Sequence, residues 1–268
     1  MPVPSPALRE TLLAAQVLDD LDLELHDDGI TLTDGSPVDV RWSSLLAAIG
    51  GAPPGSLRAR HRIVAWVRLR RQIADLPADL LLERCRALGL PSGHVLFPGR
   101  GWVRHVVLGD ALVLGLGVLG LDPQRPDDVE VIPASIWRSA GINPAILWEV
   151  CQPHLERMGD LAASRWHRDG QNVLRPMGGC DVVTLLGSRS LRAALAHDAH
   201  GLRPVVVPMR SRGWTTLSRL DPAFAPAAAE ATDPRERGFR RPVLVTYDEV
   251  VLARNGPRPD LGAVDGVA

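Results

Sequence analysis

Five arginines and one serine in the second half of the chain have types and spacings that suit anion binding. The segment VLRPMGGCDVVTLLGSRSLRAALA, residues 173–196, contains Arg175 and places Ser188, Arg189 and Arg192 at the start of a predicted helix. Free backbone N–H groups at a helix N-terminus attract anions, and a serine there caps the helix. Guanidinium groups bind carboxylate and phosphate through paired hydrogen bonds. The pattern predicts a site for a small phosphorylated or carboxylated ligand.

The next predicted strand adds residues to this candidate site. VVVPMRSRGW carries Arg210, Arg212 and Trp214 at its end, and ligands of sheet proteins often bind beyond strand ends. Asp181 opens DVVTLL, which is predicted to be a buried strand, and Asp181 or His167 could transfer a proton. The alternative interpretation is an ordinary connection between strand and helix with solvent-exposed arginines.

Two motifs resemble nucleotide sites in spacing alone. GLGVLG, residues 115–120, matches G-x-G-x-x-G, but LDPQRPDDVE follows with two prolines and no helix start to face a pyrophosphate. HRDGQNVL, residues 167–174, separates Asp169 from Asn172 by two residues, whereas a kinase catalytic loop requires four. We interpret the glycines as strand residues that permit close packing, and Asp169-Gly170 as a helix end.

Five residues have the types and spacings of zinc ligands. They form a C-x-x-H pair, an H-x-x-H pair and a cysteine between the two pairs: Cys151, His154, His197, His200 and Cys180. Zinc takes thiolate and imidazole ligands in a tetrahedron. Pro153 interrupts the first pair, and nothing in the sequence brings the two pairs together. We therefore predict no metal site, and no cofactor.

A basic segment, SLRARHRIVAWVRLRRQ at residues 56–72, is a candidate for binding a phosphate backbone. Its arginines are Arg58, Arg60, Arg62, Arg68, Arg70 and Arg71. On a helical wheel they spread widely instead of forming one stripe. We interpret the segment as a surface helix paired with nearby acids, so nucleic acid is not the favoured partner.

Composition excludes several chemistries. The 30 basic residues are all arginine and face 31 acidic residues, so no global charge favours nucleic acid or membrane. Because there is no lysine, a Schiff base on lysine is impossible, which rules out lysine-bound pyridoxal phosphate. The lysine-dependent phosphate loop and the kinase strand lysine are excluded for the same reason.

The three cysteines and the apolar runs bear on location. An odd and sparse set of cysteines favours free thiols in a reducing compartment. The first ten residues lack the basic and apolar regions of a secretory signal. The longest apolar run, residues 111–121, is shorter than the roughly 20 residues that cross a membrane. These patterns predict a cytoplasmic protein without a membrane segment.

Local signals predict an α+β, or mixed α/β, fold with a mixed β-sheet packed with several helices. Residues 1–52 combine a capped helix, a β-hairpin at Asp28-Gly29, a strand and a short helix, which suggests a small N-terminal subdomain. A main domain is predicted over 56–254 and a loose tail over 255–268. Within the main domain, Pro77 is predicted to begin a helix that continues to about Leu88.

Three functional hypotheses remain open at this stage. The first is a cytoplasmic binding or regulatory protein that performs no catalysis and contacts another protein, since no catalytic set is assembled. The second is an enzyme or sensor that binds a small anionic ligand through the arginines of residues 175–214. The third is nucleic-acid binding through the helix at 58–71.

Overall fold

The structure is a computed structural model that describes residues 5–35, 37–74, 76–94, 102–121, 126–216 and 236–253. Over these residues the chain forms eight α-helices and three antiparallel sheets. The α+β class predicted from the sequence is confirmed. The division of the strands into three sheets is not visible in the sequence pattern.

The N-terminal part forms a small sheet flanked by helices. Its elements are α1 (Pro6–Asp19), β1 (Leu23–Leu25), β2 (Gly29–Leu32), β3 (Val38–Arg41), α2 (Trp42–Ile49) and α3 (Leu57–Ala74). Ser5 caps α1, since its side chain accepts a hydrogen bond from the Leu8 N–H at 3.3 Å. The predicted hairpin is confirmed, because β1 and β2 pair antiparallel on either side of Asp28. Helix α3 packs against both α1 and α2.

The segment after Pro77 differs from the sequence prediction. A short helix, α4 (Ala78–Glu83), gives way to strand β4 (Cys85–Pro91), so the predicted helix to Leu88 is wrong. β4 is buried along nearly its whole length. Gly89 lies within it and approaches the backbone of Thr184, where an added Cβ would lie 2.7 Å from Cα. Strand pairing and close packing with distant segments therefore determine that residues 85–91 form a strand, and neither can be recognised from the local sequence.

The glycine motif lies in a strand. β5 (Arg104–Leu108), β6 (Leu112–Leu119) and β7 (Val129–Val131) join β4 in one sheet, with β6 pairing to all three. A side chain at Gly115 would overlap the indole of Trp102, and a Cβ at Gly117 would lie 2.5 Å from the Glu130 carbonyl. The interpretation as close-packing strand residues is confirmed for Gly115 and Gly117, whereas Gly120 follows β6 with φ of 67°.

A long helix forms the centre of the second half. It is α6 (Leu147–Arg168), preceded by α5 (Ala134–Ser139) and by a 3₁₀ turn at Pro144–Ile146. α6 ends at Arg168, with Asp169 as its C-cap, and Gly170 follows with φ of 82°. The interpretation of Asp169-Gly170 as a helix end is confirmed.

The last elements form a five-stranded sheet and two helices. They are β8 (Val173–Leu174), α7 (Val182–Leu185), α8 (Arg189–His197), β9 (Arg203–Met209), β10 (Arg212–Trp214), β11 (Val243–Val245) and β12 (Val250–Leu252). The strand order is β12-β11-β9-β10-β8. The prediction that DVVTLL is a strand is wrong. Asp181 caps a buried helical turn there, and a short, mainly apolar run fits either structure.

One cluster of buried apolar side chains extends from α1 to β12. The described residues thus share a core across the predicted boundary near residue 52, and that boundary stays a prediction. The predicted tail, 255–268, lies outside the described residues. Among the helices of the described part, none has the length and apolar character needed to cross a membrane.

Candidate functional site

A cavity of about 500 Å³ opens beyond the end of β9. We call it the β9 cavity. Its walls come from β4, from the start of β7 with the residues before it, from the segment that precedes and begins α7, and from the turn after β9. The lining residues are Leu88, Asp127, Asp128, Val129, Glu130, Pro176, Met177, Gly178, Gly179, Cys180, Asp181, Thr184, Arg210, Ser211 and Glu236. Cavities of a few hundred cubic ångströms are typical of small-ligand sites.

An ion pair between Arg210 and Asp181 lies in the wall of this cavity. Arg210 directly follows β9, and its backbone is fixed on both sides: its N–H donates to the Glu236 carbonyl at 2.9 Å, and its carbonyl accepts from the Val182 N–H at 2.7 Å. Asp181 Oδ1 accepts from the Thr184 N–H at 2.6 Å, which leaves Oδ2 for the guanidinium. The helix cap and the strand end thus position both charges.

His94 belongs to the same electrostatic environment. Burial and the nearby positive charge of Arg210 lower the pKa of His94, while the backbone of Arg237 and the charge of Asp181 oppose that shift. Nothing in the sequence near His94 indicates this association, because its neighbours come from more than eighty residues away along the chain.

A tight turn forms another wall. Met177 and Cys180 exchange two backbone hydrogen bonds of 2.9 Å, with Gly178 and Gly179 between them at φ of 55° and 79°. Positive φ at both central positions favours glycine. The Gly178 carbonyl accepts a hydrogen bond from His154 Nε2 at 2.9 Å, so α6 holds the turn from outside.

The charge of the lining is strongly negative. Among the lining residues that the structure describes, five are acidic and Arg210 is basic. The acidic residues are Asp127, Asp128, Glu130, Asp181 and Glu236. Asp181 pairs with Arg210, and the described part of the lining has more acidic than basic side chains, which electrostatically favours a cation.

The predicted anion position at the start of α8 is filled by the protein itself. Glu156 of α6 accepts four hydrogen bonds there: from Ser188 Oγ at 2.8 Å and, each at 3.1 Å, from the Arg189 N–H, the Ser190 N–H and Ser190 Oγ. Burial would raise the pKa of Glu156, but these bonds outweigh it and lower the pKa. The chemistry predicted for this helix N-terminus is therefore present, with an internal carboxylate as the anion.

Arg192 is a structural residue in the interior. Its side chain is 6% exposed and donates to the carbonyls of Leu186, Gly187 and Tyr247. The bonds to Leu186 and Gly187 satisfy carbonyls at the end of α7, a common role for arginine, and the bond to Tyr247 joins α8 to the turn between β11 and β12. Burial lowers the pKa of its guanidinium.

The remaining predicted residues do not gather at the β9 cavity. Arg212 lies over the ring of Trp214, 6.0 Å from the ring centroid, and Trp214 is fully buried. Arg175 and Arg189 are exposed. His167 contacts Gln171 at 3.1 Å and Asp198 at 3.5 Å near the end of α6. Of the eight predicted ligand-binding residues, the cavity lining includes Asp181 and Arg210.

The predicted zinc spacings do not form a metal cluster in the described part of the chain. Cys151 is buried and donates to the Trp148 carbonyl at 3.6 Å. A hydrogen bond with the Cys85 thiol, together with burial, raises the pKa of Cys151. Burial raises the pKa of Cys180 to about 12. Such thiols are core residues of low reactivity.

The arginines of α3 bind other parts of the chain. Arg60 pairs with the Asp19 carboxylate at 3.2 Å, and Arg71 with Asp34 at 3.5 Å. Arg62 donates to the carbonyls that follow α2, and Arg68 donates to the Asp19 carbonyl at the end of α1. Four arginines of this helix thus connect α3 to its neighbours.

Comparison with known proteins adds no family to this geometry. No family model matches the chain, and no significant match is found among curated proteins or among solved structures.

Proposed function

We propose that this chain is a binding protein without catalysis of its own, and that its ligand is a small cation bound in the β9 cavity. One observation carries the proposal: the cavity combines the size of a small-ligand site with a lining that is mainly acidic over the described residues, where Arg210 pairs with Asp181. An amine or a guanidinium compound matches that charge. This proposal keeps the hypothesis of a non-catalytic binding protein and replaces the protein partner with a small molecule.

Binding of an anion in the β9 cavity would meet two obstacles. An incoming carboxylate or phosphate would have to displace Asp181 from Arg210, and Asp181 also caps α7. It would in addition face the carboxylates of Asp127, Asp128 and Glu130. A cation meets neither obstacle, so we favour a cationic ligand over the anion expected from the arginine pattern.

The proposed location is the cytoplasm. The three cysteines are free and buried in the structure, and free thiols are typical of reducing compartments.

The test is a thermal-shift and calorimetric screen of the full chain. Putrescine, spermidine and agmatine form the cationic arm, and succinate, inorganic phosphate and glucose 6-phosphate form the anionic arm. A ligand at a hundredfold excess over its dissociation constant stabilises the protein by about 2.7 kcal/mol. We expect stabilisation by a cation and weaker binding at higher salt.

Variants identify the site. Asp127→Asn and Glu130→Gln each remove one lining charge and should weaken cation binding severalfold. Asp160→Asn, on the exposed surface of α6, is the matched control and should bind as the natural chain does. Stabilisation by the anions alone, or cation binding unaffected by both lining variants, would overturn the proposal.

A further inference from the structure

The glycine turn in the wall of the β9 cavity is held by one titratable side chain. His154 Nε2 contacts the Gly178 carbonyl at 2.9 Å. Met158 of the same helix packs directly against Gly178, where a side chain would collide with its sulfur. Of these two contacts from α6, the hydrogen bond from His154 is the polar one, and it joins the helix to the backbone of the turn.

The second ring nitrogen of His154 faces a cation. Arg157, one turn further along α6, places its guanidinium 3.5 Å from Nδ1. Since guanidinium can only donate and the Gly178 carbonyl can only accept, the neutral ring with hydrogen on Nε2 satisfies both neighbours. A proton added at Nδ1 would replace the acceptor with a donor that faces the guanidinium.

The groups around His154 come from three elements. Arg157 and His154 belong to α6, the turn supplies the Gly178 carbonyl, and β4 supplies Arg86. Arg86 is itself held by the carbonyls of Glu83 and Cys85, at 2.6 and 2.9 Å. A protonated ring would therefore be repelled by two positive charges, those of Arg157 and Arg86.

We propose that His154 is a pH-sensitive latch: the neutral imidazole holds the Met177–Cys180 turn against α6, and protonation releases the turn and loosens the wall of the β9 cavity. Thermodynamic linkage gives the direction of the pH effect on the turn. Burial, followed by the charges of Arg86 and Arg157, lowers the pKa of His154, although its bond to Gly178 opposes the shift. A ring that has swung into solvent regains its ordinary pKa, so protons bind the released state more tightly.

The latch is tested by solution NMR without any ligand. The ring protons of His154 and the backbone amides of Gly178 and Gly179 are followed from pH 7.5 to pH 5. We expect the amide shifts to titrate with the same midpoint as the ring, below the ordinary histidine value of about 6.5. Amides that stay constant while the ring titrates would overturn the latch, and this measurement needs no variant.

Two variants isolate the effect. His154→Gln keeps an N–H donor for the carbonyl and does not titrate, so the amide titration should disappear. His167→Gln, on the same helix and in contact with Gln171 and Asp198 instead, should leave it unchanged. An amide titration that persists in His154→Gln would overturn the proposal.

The consequence for binding rests on the proposed function. If putrescine binds the natural chain, its affinity should fall by up to tenfold for each pH unit below the His154 midpoint, as one coupled proton requires, and stay flatter in His154→Gln. A coupled amide titration without putrescine binding would leave the latch intact and remove only the proposed function. Putrescine binding together with amide shifts that do not change with pH would support the proposed function and overturn the latch.

Discussion

Glu156 is the clearest point at which one side chain connects two elements, and its removal should destabilise the protein. Its carboxylate accepts from Ser188 Oγ, Ser190 Oγ and the first backbone N–H groups of α8. Gly159, one turn along α6, allows this close approach, since a side chain there would collide with Ser188. The proposed perturbation is Glu156→Gln, which preserves shape and removes the charge.

The magnitude follows from the four donors. A hydrogen bond to a charged group contributes about 1.5–3 kcal/mol, against about 1 kcal/mol for a neutral one. In the variant, the amide oxygen can take the Oε2 position, where Ser188 Oγ, the Ser190 N–H and Ser190 Oγ donate to a neutral acceptor instead of a charged one. The amide NH₂ then faces the Arg189 N–H, which is also a donor. Ser188 is fully buried, so solvent cannot compensate for the weaker hydrogen bond to a neutral acceptor. We expect a loss of about 2 kcal/mol, also because a charge leaves the helix N-terminus.

Urea unfolding at pH 7 measures this loss. The seven tryptophans give a fluorescence signal, and coincidence with circular dichroism checks that unfolding is two-state. With a slope of about 3 kcal/mol per molar urea, a loss of 2 kcal/mol lowers the midpoint by about 0.7 M. Asp160→Asn, on the exposed surface of α6, is the control and should change stability by less than about 0.5 kcal/mol.

The pH dependence gives an independent check of the same reasoning. Because the hydrogen bonds lower the pKa of Glu156 in the folded state, its stabilisation is complete above the unfolded pKa of about 4.3. It is lost as the pH falls through the folded pKa. The difference between the natural chain and Glu156→Gln should therefore shrink below about pH 4. Equal urea midpoints for Glu156→Gln and Asp160→Asn at pH 7 would refute this account of the α6–α8 contact.

Two further substitutions, with one control, test the packing of Gly89 and the hydrogen bonds of Arg192. Gly89→Ala places a Cβ 2.7 Å from the Cα of Thr184 and should cost about 1–3 kcal/mol by overpacking. Gly55→Ala meets only ordinary contact at 3.6 Å and should be nearly neutral in the same urea assay, so similar losses for both glycines would count against the close approach. Arg192→Met removes donors from three carbonyls and should cost about 2 kcal/mol, because buried acceptors lose their partners; an unchanged urea midpoint would show that Arg192 is dispensable.

Several features of this protein could be predicted from short stretches of sequence because their causes lie within a few residues. Ser5 bonds to an N–H three residues away, and Asp28 lies in the turn between the paired strands β1 and β2. The stop of α6 at Asp169-Gly170 and the cap of α8 by Ser188 are equally local. Composition alone excluded lysine chemistry. The α+β class follows from such signals added together.

Contacts between residues that are distant in sequence determine the remaining features of the fold and of the candidate site. Residues 85–91 become a strand because β6 offers a pairing edge, and residues 182–185 become a helix because Asp181 caps them and the core surrounds them. The helix N-terminus at Ser188 attracts an anion as the sequence predicts, but Glu156 supplies that anion from 32 residues away. Arg210 likewise meets Asp181 only when β9 and α7 pack together. The sequence determines the sign of each charge, whereas packing determines its partner. Hydrogen bonds and ion pairs act over a few ångströms, and residues distant in sequence come that close only when the chain folds.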